Sequence, residues 1–165
     1  MGLQPILRRI WTPIGEQPIA KVKTKYEWVW LYGLVHPESG ESYWWILPYT
    51  NTELFNRVLA DFAREFQLNR NKRVLLVLDQ AGWHISHQLK LPEGLDLFFL
   101  PAYSPELQPA ERLWPLTNEV IANHSPRSLC ELEELLVVRC RKLLQEHNLT
   151  KGLTFYHWWP RTRTV

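Results

Sequence analysis

A continuous run of five aliphatic residues constrains the fold of this chain more than any other feature of its sequence. The run is Val74–Leu78 (VLLVL), which follows a basic turn and ends at Asp79. Runs of this kind are typical of a strand that is buried on both faces. In sheets built from such strands the chemistry usually lies at the carboxyl ends, so Asp79 occupies a position where a functional carboxylate is expected.

The segments on either side of this run predict a mixed α/β fold. Residues 26–35 and Ser42–Leu47 are rich in aromatic and β-branched residues and flank a turn with Pro, Ser and Gly, which predicts an antiparallel hairpin. A further strand is predicted over residues 95–100, and residues 85–91 leave room for a short helix. Strands separated by helices tend to pair in parallel, so we expect a mixed sheet with flanking helices.

Capping residues mark two longer helices. Thr50 and Glu53 form a capping box before apolar residues at helical spacing. Ser128 and Glu131 do the same for the last predicted helix. A helix is also expected after the Pro-rich loop, where Pro115 requires either an irregular first turn or a kink.

The composition is that of one globular domain over residues 1–165, with 45% hydrophobic and 22% charged residues. The net charge of +2 is too small to indicate nucleic-acid binding by itself. Basic residues nevertheless cluster near the start of the chain, and these are candidates for phosphate contacts: Arg8, Arg9, Lys21, Lys23 and Lys25.

Cysteine content and hydropathy indicate a cytoplasmic protein. Cys130 and Cys140 lie in one predicted helix, so no disulfide framework is indicated and a reducing compartment fits. No stretch approaches the roughly 20 apolar residues that a membrane span requires, and the first residues do not resemble a signal peptide. We therefore expect no membrane partner.

Two carboxylates are candidates for chemistry, although each has an ordinary structural explanation. Asp79 could be a turn or helix-capping residue, or the Asp of a Walker B strand, but the chain has no matching phosphate-binding loop. Glu111 lies near a predicted helix start, where a carboxylate is favoured by the helix dipole alone. A zinc site containing His84 and His87 has suitable spacing but no Cys or acidic partner.

The two segments that contain these acids resemble a known family. Residues 79–84 (DQAGWH) close the apolar strand and end in His84, and residues 101–114 (PAYSPELQPAERLW) follow with Glu111 a little over thirty residues beyond Asp79. The second segment matches closely the pattern Pro-x-Tyr-Ser-Pro-x-Leu-x-Pro-x-Glu-x-x-Trp of DDE transposases in the bacterial insertion-sequence branch of the Tc/mariner superfamily. Looser similarity extends over the rest of the chain.

This resemblance implies a ribonuclease H-like fold and magnesium-dependent DNA cleavage and strand transfer. Asp79 and Glu111 would then hold Mg²⁺ (or Mn²⁺) in a two-metal site, since hard cations prefer carboxylate oxygens and such sites activate in-line displacement. His84, Tyr103 and Trp114 would contact substrate or support the ligands. The implied partner is the DNA of transposon ends, with a homodimer as a further possibility.

The chain departs from the family pattern near its start. The family's first catalytic Asp lies just upstream of the segment that corresponds to residues 8–11, and none of the seven residues before that segment is acidic. The resemblance therefore implies a partial catalytic domain that lacks its first, central strand and binds metal weakly. A frameshifted upstream product or a full-length transposase would be the complementing partner.

Two other hypotheses stay open. The chain could be a non-enzymatic remnant that binds DNA or a full-length transposase. It could also be an unrelated ribonuclease H-like nuclease, in which the loop around Tyr103 is incidental.

Overall fold

The computed structural model describes residues 1–3, 6, 8–9, 11–16, 19 and 27–159. The chain divides into two compact units. One contains Tyr49–Glu111, and the other combines Met1–Pro48 with Arg112–Val165. We call them the central unit and the outer unit. None of the helices in the described residues is long and apolar enough to span a membrane.

The outer unit contains the predicted antiparallel hairpin. Strand β1 (Trp30–Val35) pairs with β2 (Ser42–Leu47), with Trp30 opposite Leu47 and Val35 opposite Ser42. Aromatic and β-branched side chains favour this pleated pairing. The hairpin is therefore confirmed, while residue 26 of the predicted first strand lies outside the described residues.

From Arg112 onward, most described residues of the outer unit are helical. Helix α2 (Trp114–Asn118) continues into a 3₁₀ turn (Glu119–Ile121), and α3 (Leu129–Leu143) and α4 (His147–Thr154) follow. Ser128 caps α3 by accepting a hydrogen bond from the Glu131 amide, as its sequence predicts. The core of this unit joins α3 to residues from the start of the chain and the 3₁₀ turn: Leu3, Val29, Ile121, Leu132 and Leu136.

The Pro115 ambiguity is resolved in favour of an irregular start. Residues Pro109–Leu113 form a 3₁₀ segment, and α2 begins only at Trp114, so that Pro115 lies in its first turn. Proline is tolerated there because the amide it lacks would have no partner within the helix.

The central unit contains helix α1 (Thr52–Glu65) and strands β3 (Val74–Leu78) and β4 (Leu95–Phe99). The two strands pair in parallel, with Val74 opposite Leu95 and Leu78 opposite Phe99. Both strands and their parallel pairing agree with the sequence prediction. Within the described residues, the β1–β2 and β3–β4 pairs form separate two-stranded sheets, which gives the mixed α/β character expected.

Three local predictions for the central unit are wrong. Asn51, one residue later than predicted, caps α1 through its side chain. Strand β3 is buried on one face only, since Leu76 and Leu78 are buried while Leu75 is 61% exposed. Turns replace the helix predicted for residues 85–91.

The failed helix prediction has a local cause. The Ser86 hydroxyl accepts a hydrogen bond from the Gln88 amide, and Asn56 of α1 bonds the backbone of Gln88 and of Lys90. These side chains satisfy the backbone groups that a helix would need, and a segment this short does not repay helix nucleation.

Candidate active site

Backbone pairing at the ends of β3 and β4 positions Asp79 in the lining of a cleft. The register continues one residue past the strands, because the Leu100 amide donates to the Leu78 carbonyl at 2.8 Å. The Gln80 side-chain amide then donates to the Leu100 carbonyl at 2.8 Å. Asp79 therefore lies between Leu78 and Gln80, which are both hydrogen-bonded to Leu100, the residue after β4.

One oxygen of Asp79 is oriented by hydrogen bonds, and the other remains available. Oδ1 accepts from Nδ1 of His84 at 2.6 Å and from the Ala81 amide at 3.2 Å. An ionised carboxylate only accepts hydrogen bonds, so the His84 ring carries its proton on Nδ1 in this contact. Oδ2 accepts no hydrogen bond from any described residue, and the Asp79 side chain is 57% exposed. A carboxylate fixed by one oxygen and open at the other suits a metal ligand.

His84 owes its position to aromatic packing within the central unit. Its residue is only 7% exposed, its ring centroid lies 4.5 Å from that of Phe55 in α1, and Trp83 contacts it edge-on. Two side chains from different segments therefore hold the imidazole, and the imidazole in turn orients Asp79.

The Pro-rich loop brings Glu111 to the same cleft. After β4 the chain forms two 3₁₀ segments, Pro105–Leu107 and Pro109–Leu113, in which prolines fix φ and the amides of Gln108 and Glu111 donate to carbonyls three residues earlier. The cleft has a volume of about 390 Å³. Its lining consists of Asp79, Gln80, Ala81, Leu100, Pro101, Ala102, Tyr103, Ser104, Pro105, Gln108 and Glu111.

The charge of this cleft is negative. Of the described residues that line it, only Asp79 and Glu111 carry a charged side chain, and both residues are exposed to solvent. Two carboxylates in a concave surface attract a cation when no cationic side chain lines that surface with them. Carboxylate oxygens that keep access to water are also the ligands that Mg²⁺ and Mn²⁺ prefer.

The donor set falls short of a complete metal centre within the part of the chain that the structure describes. No group of three His, Cys, Asp or Glu side chains there comes close enough to hold a metal ion. Zinc coordination by His84 and His87 gains no third ligand among these residues. The residues present fit a hard cation that keeps several waters, bound by two carboxylates.

Tyr103 lines the cleft in an unusual backbone conformation. Its φ angle is +58°, in the left-handed region that bulky residues rarely adopt, and its side chain is fully exposed. Such a conformation costs on the order of 1–3 kcal/mol. No burial of the ring offsets this cost.

The other predicted site residues lie in the outer unit. Trp114 does not line the cleft, and its ring packs edge-on against Trp44 with centroids 6.1 Å apart. Arg8 is exposed, and its backbone exchanges hydrogen bonds with the Asn123 side chain while its guanidinium donates to the Pro115 carbonyl. Arg9 is also exposed, and the predicted DNA contacts at Lys21, Lys23 and Lys25 lie outside the described residues.

Sequence reasoning missed Gln80 and Gln108 as cleft residues. Each lies within three residues of a candidate acid. The sequence around a single Gln does not show whether its side-chain amide bonds a neighbouring strand or only water. Only the parallel register, which brings Leu100 beside Gln80, reveals the contact.

Comparison with known proteins identifies the family. The family model described as DDE superfamily endonuclease matches residues 1–133, which is most of the chain and includes both cleft acids. The chain belongs to this family. The resemblance inferred from residues 79–84 and 101–114 is thereby confirmed at the family level.

This DDE endonuclease chain is also similar to one curated protein and to two solved structures. It is 40% identical over 92 residues to the uncharacterised protein y4pE/y4sA of Sinorhizobium fredii (strain NBRC 101917 / NGR234), covering 56% of this chain and 67% of the relative.

The structural matches are the Mos1 strand transfer complex, with a TM-score of 0.56 and 15% identity, and the Mos1 mariner paired end complex with Mn, with a TM-score of 0.53 and 14% identity. They cover 96% and 94% of this chain but only 53% of the Mos1 chain. The likeness confirms the predicted ribonuclease H-like fold class. The chain spans about half the length of these structural relatives.

Proposed function

We propose that this DDE endonuclease chain is the catalytic part of a transposase, which cleaves DNA and transfers strands with Mg²⁺ or Mn²⁺ held by Asp79 and Glu111. The observation that carries the proposal is the presence of both acids, and no other charged side chain, among the described residues that line one cleft. Family membership favours this function over an unrelated nuclease.

Asp79 and Glu111 would bind the cations through their exposed oxygens. Bound divalent ions supply activation of the attacking oxygen and stabilisation of the leaving oxygen in an in-line displacement at phosphorus. Asp79 offers Oδ2, because His84 and the Ala81 amide already occupy Oδ1. We assign His84 the role of a positioning residue, since it contacts the carboxylate and is itself fixed by Phe55.

DNA is the substrate that the relatives suggest. The two Mos1 structures are a strand transfer complex and a paired end complex, and this chain shares their fold. We therefore propose transposon-end DNA as the partner, with Arg8 and Arg9 among the phosphate contacts, since both are exposed. We also propose that the chain forms a homodimer. An upstream frameshift product or a full-length transposase would supply the first catalytic Asp.

A plasmid-nicking assay tests the proposal. Supercoiled DNA is incubated with the chain over a range of Mg²⁺ and Mn²⁺ concentrations, and relaxed circles are quantified. Asp79→Asn and Glu111→Gln should each abolish nicking. Glu106→Gln is the matched control, because Glu106 is an exposed acid of the same loop that does not line the cleft, and it should nick like the unchanged chain. Metal-dependent nicking that persists in Asp79→Asn would overturn the assignment.

A non-catalytic DNA-binding remnant is the second candidate. It is favoured by the absence, within the described residues, of a third metal-binding side chain beside the two acids. This candidate predicts that the chain retards DNA in a gel without nicking it, and that Asp79→Asn leaves the retardation unchanged. That pair of results would replace the catalytic proposal.

A further inference from the structure

We propose that Tyr103 is a positioning residue whose ring stacks on an unpaired nucleobase of the nucleic acid at the cleft. This inference rests on the proposed function and names a feature of the substrate, namely a base that has left its stack next to the scissile phosphate. Tyr103 would thus contact the substrate through the face of its aromatic ring.

The backbone at Tyr103 shows that folding stability does not account for a tyrosine at this position. A left-handed residue is accommodated best by Gly or Asn, whereas Tyr103 has φ of +58° and a fully exposed ring. Neither core packing nor backbone preference favours a large aromatic side chain here. Strain that is kept at a cleft rim is characteristic of functional positions.

The surrounding loop holds this strained residue in place. Pro101 and Pro105 fix φ on either side of it, and the residue before a proline, here Ser104, is itself restricted. The Leu107 amide donates to the Ser104 carbonyl, which closes the first 3₁₀ turn directly after Tyr103. A rigid support of this kind presents a ring at low entropic cost to a ligand.

The chemistry of the cleft favours stacking over the other contacts that a tyrosine could make with nucleic acid. The charged residues that line the cleft within the described part are the two acids, so a phosphate there gains no cationic side chain. An exposed aromatic face in the same cleft as the acids instead offers a surface for a base, and every base has a π-face. A base inside a duplex has both faces covered, so the interaction requires an unpaired or extruded base.

Fluorescence of 2-aminopurine tests this inference with the full chain. The probe is placed in a DNA hairpin duplex either as an unpaired base beside a nick or fully paired, and Ca²⁺ replaces Mg²⁺ during the binding measurement. Tyr103→Phe should retain affinity and quenching. Tyr103→Gly should bind the unpaired probe about 10-fold or more weakly and bind the paired probe equally well. Tyr49→Ala, at another exposed tyrosine of the central unit outside the cleft, should behave as the unchanged chain.

A stability measurement separates ring loss from unfolding. Tyr103→Gly should unfold at the same or higher denaturant concentration, because glycine accepts φ of +58° without strain. Equal affinity of Tyr103→Gly and the unchanged chain for the unpaired probe would overturn the stacking role. A change in oligomeric state in Tyr103→Gly, with no change in probe binding, would instead assign the ring to a protein contact and also overturn it.

The nicking assay and the probe-binding assay test the catalytic role of Asp79 and the stacking role of Tyr103 separately. If the chain nicks DNA in an Asp79-dependent manner but Tyr103→Gly binds normally, only the stacking inference is wrong. If the chain never nicks DNA at any metal concentration, the catalytic proposal is wrong whatever the probe shows.

Discussion

Replacing His84 tests whether the metal binding proposed for Asp79 depends on the neighbouring imidazole. The contact to be removed is the 2.6 Å hydrogen bond from Nδ1 to Asp79 Oδ1. Loss of a supporting contact to a metal ligand typically weakens metal binding by about 10- to 100-fold. Asp79 is 57% exposed and keeps the Ala81 amide on Oδ1, so water replaces part of the loss. We therefore expect the lower end of that range.

Two substitutions at position 84 separate orientation from packing. His84→Leu fills the buried space beside Phe55 but removes the donor, so its free energy of unfolding should change by less than about 1.5 kcal/mol while Mn²⁺ affinity falls about 10-fold. His84→Asn places an amide donor near the position of Nδ1 but loses part of the ring. It should therefore unfold more easily, by about 1–3 kcal/mol, and bind Mn²⁺ within a few-fold of the unchanged chain.

The assay is a Mn²⁺ titration followed by the paramagnetic resonance signal of the free ion, with urea unfolding measured in parallel. His87→Asn is the control, because His87 is an exposed histidine of the same segment. An unchanged half-saturating Mn²⁺ concentration in His84→Leu would refute the orienting role of His84. Equally weak Mn²⁺ binding by His84→Asn and His84→Leu would also refute it, because the hydrogen-bond donor at position 84 would then make no difference.

Two further predictions concern stability. Gly94→Ala should lower the free energy of unfolding, measured in urea, by about 2–4 kcal/mol, because φ is +81° and a Cβ would lie 2.6 Å from the Asn69 carbonyl oxygen. Gly82→Ala is the control. Its added Cβ would have no atom within 4 Å, so its free energy of unfolding should stay within about 1 kcal/mol of that of the unchanged chain. Burial raises the pKa of the Cys140 thiol to about 11 from its ordinary 9.0. The unfolded chain then releases this proton first as the pH rises, so stability should fall by up to about 2–3 kcal/mol between pH 9.0 and about 11, a loss that Cys140→Ala should abolish in urea unfolding curves.

The strand that ends at Asp79 was predictable because its information is local. Five aliphatic residues in succession leave few alternatives to a strand, and parallel pairing follows from the spacing to Leu95–Phe99. The resemblance of residues 101–114 to a family motif then located Glu111. Both acids line one cleft in the central unit, while their role as metal ligands stays a prediction.

Predictions that depended on tertiary partners were less successful. A continuous apolar run predicts burial on both faces of the strand. In β3, however, Leu76 and Leu78 are buried, whereas Leu75 shares an exposed face with Phe98 of β4. The helix predicted for residues 85–91 was displaced by hydrogen bonds from Asn56, which is distant in sequence. Helix α4 was missed because its eight residues include a Gly and two Thr, which are weak helix formers. It buries Thr150 and Thr154 rather than a pronounced apolar stripe.

The two carboxylates are positioned by one short stretch of chain, which has a consequence for how the site responds to mutation. Asp79 is fixed by the strand register and Glu111 by the proline-containing 3₁₀ segments, and both belong to the central unit. Damage to the outer unit that spares this stretch should therefore alter the DNA contacts proposed for Arg8 and Arg9 before it alters the spacing of the acids. Gly94→Ala acts at the residue whose carbonyl accepts a hydrogen bond from the Val74 amide at the start of β3. It should therefore weaken both the stability of the chain and the metal binding proposed for Asp79.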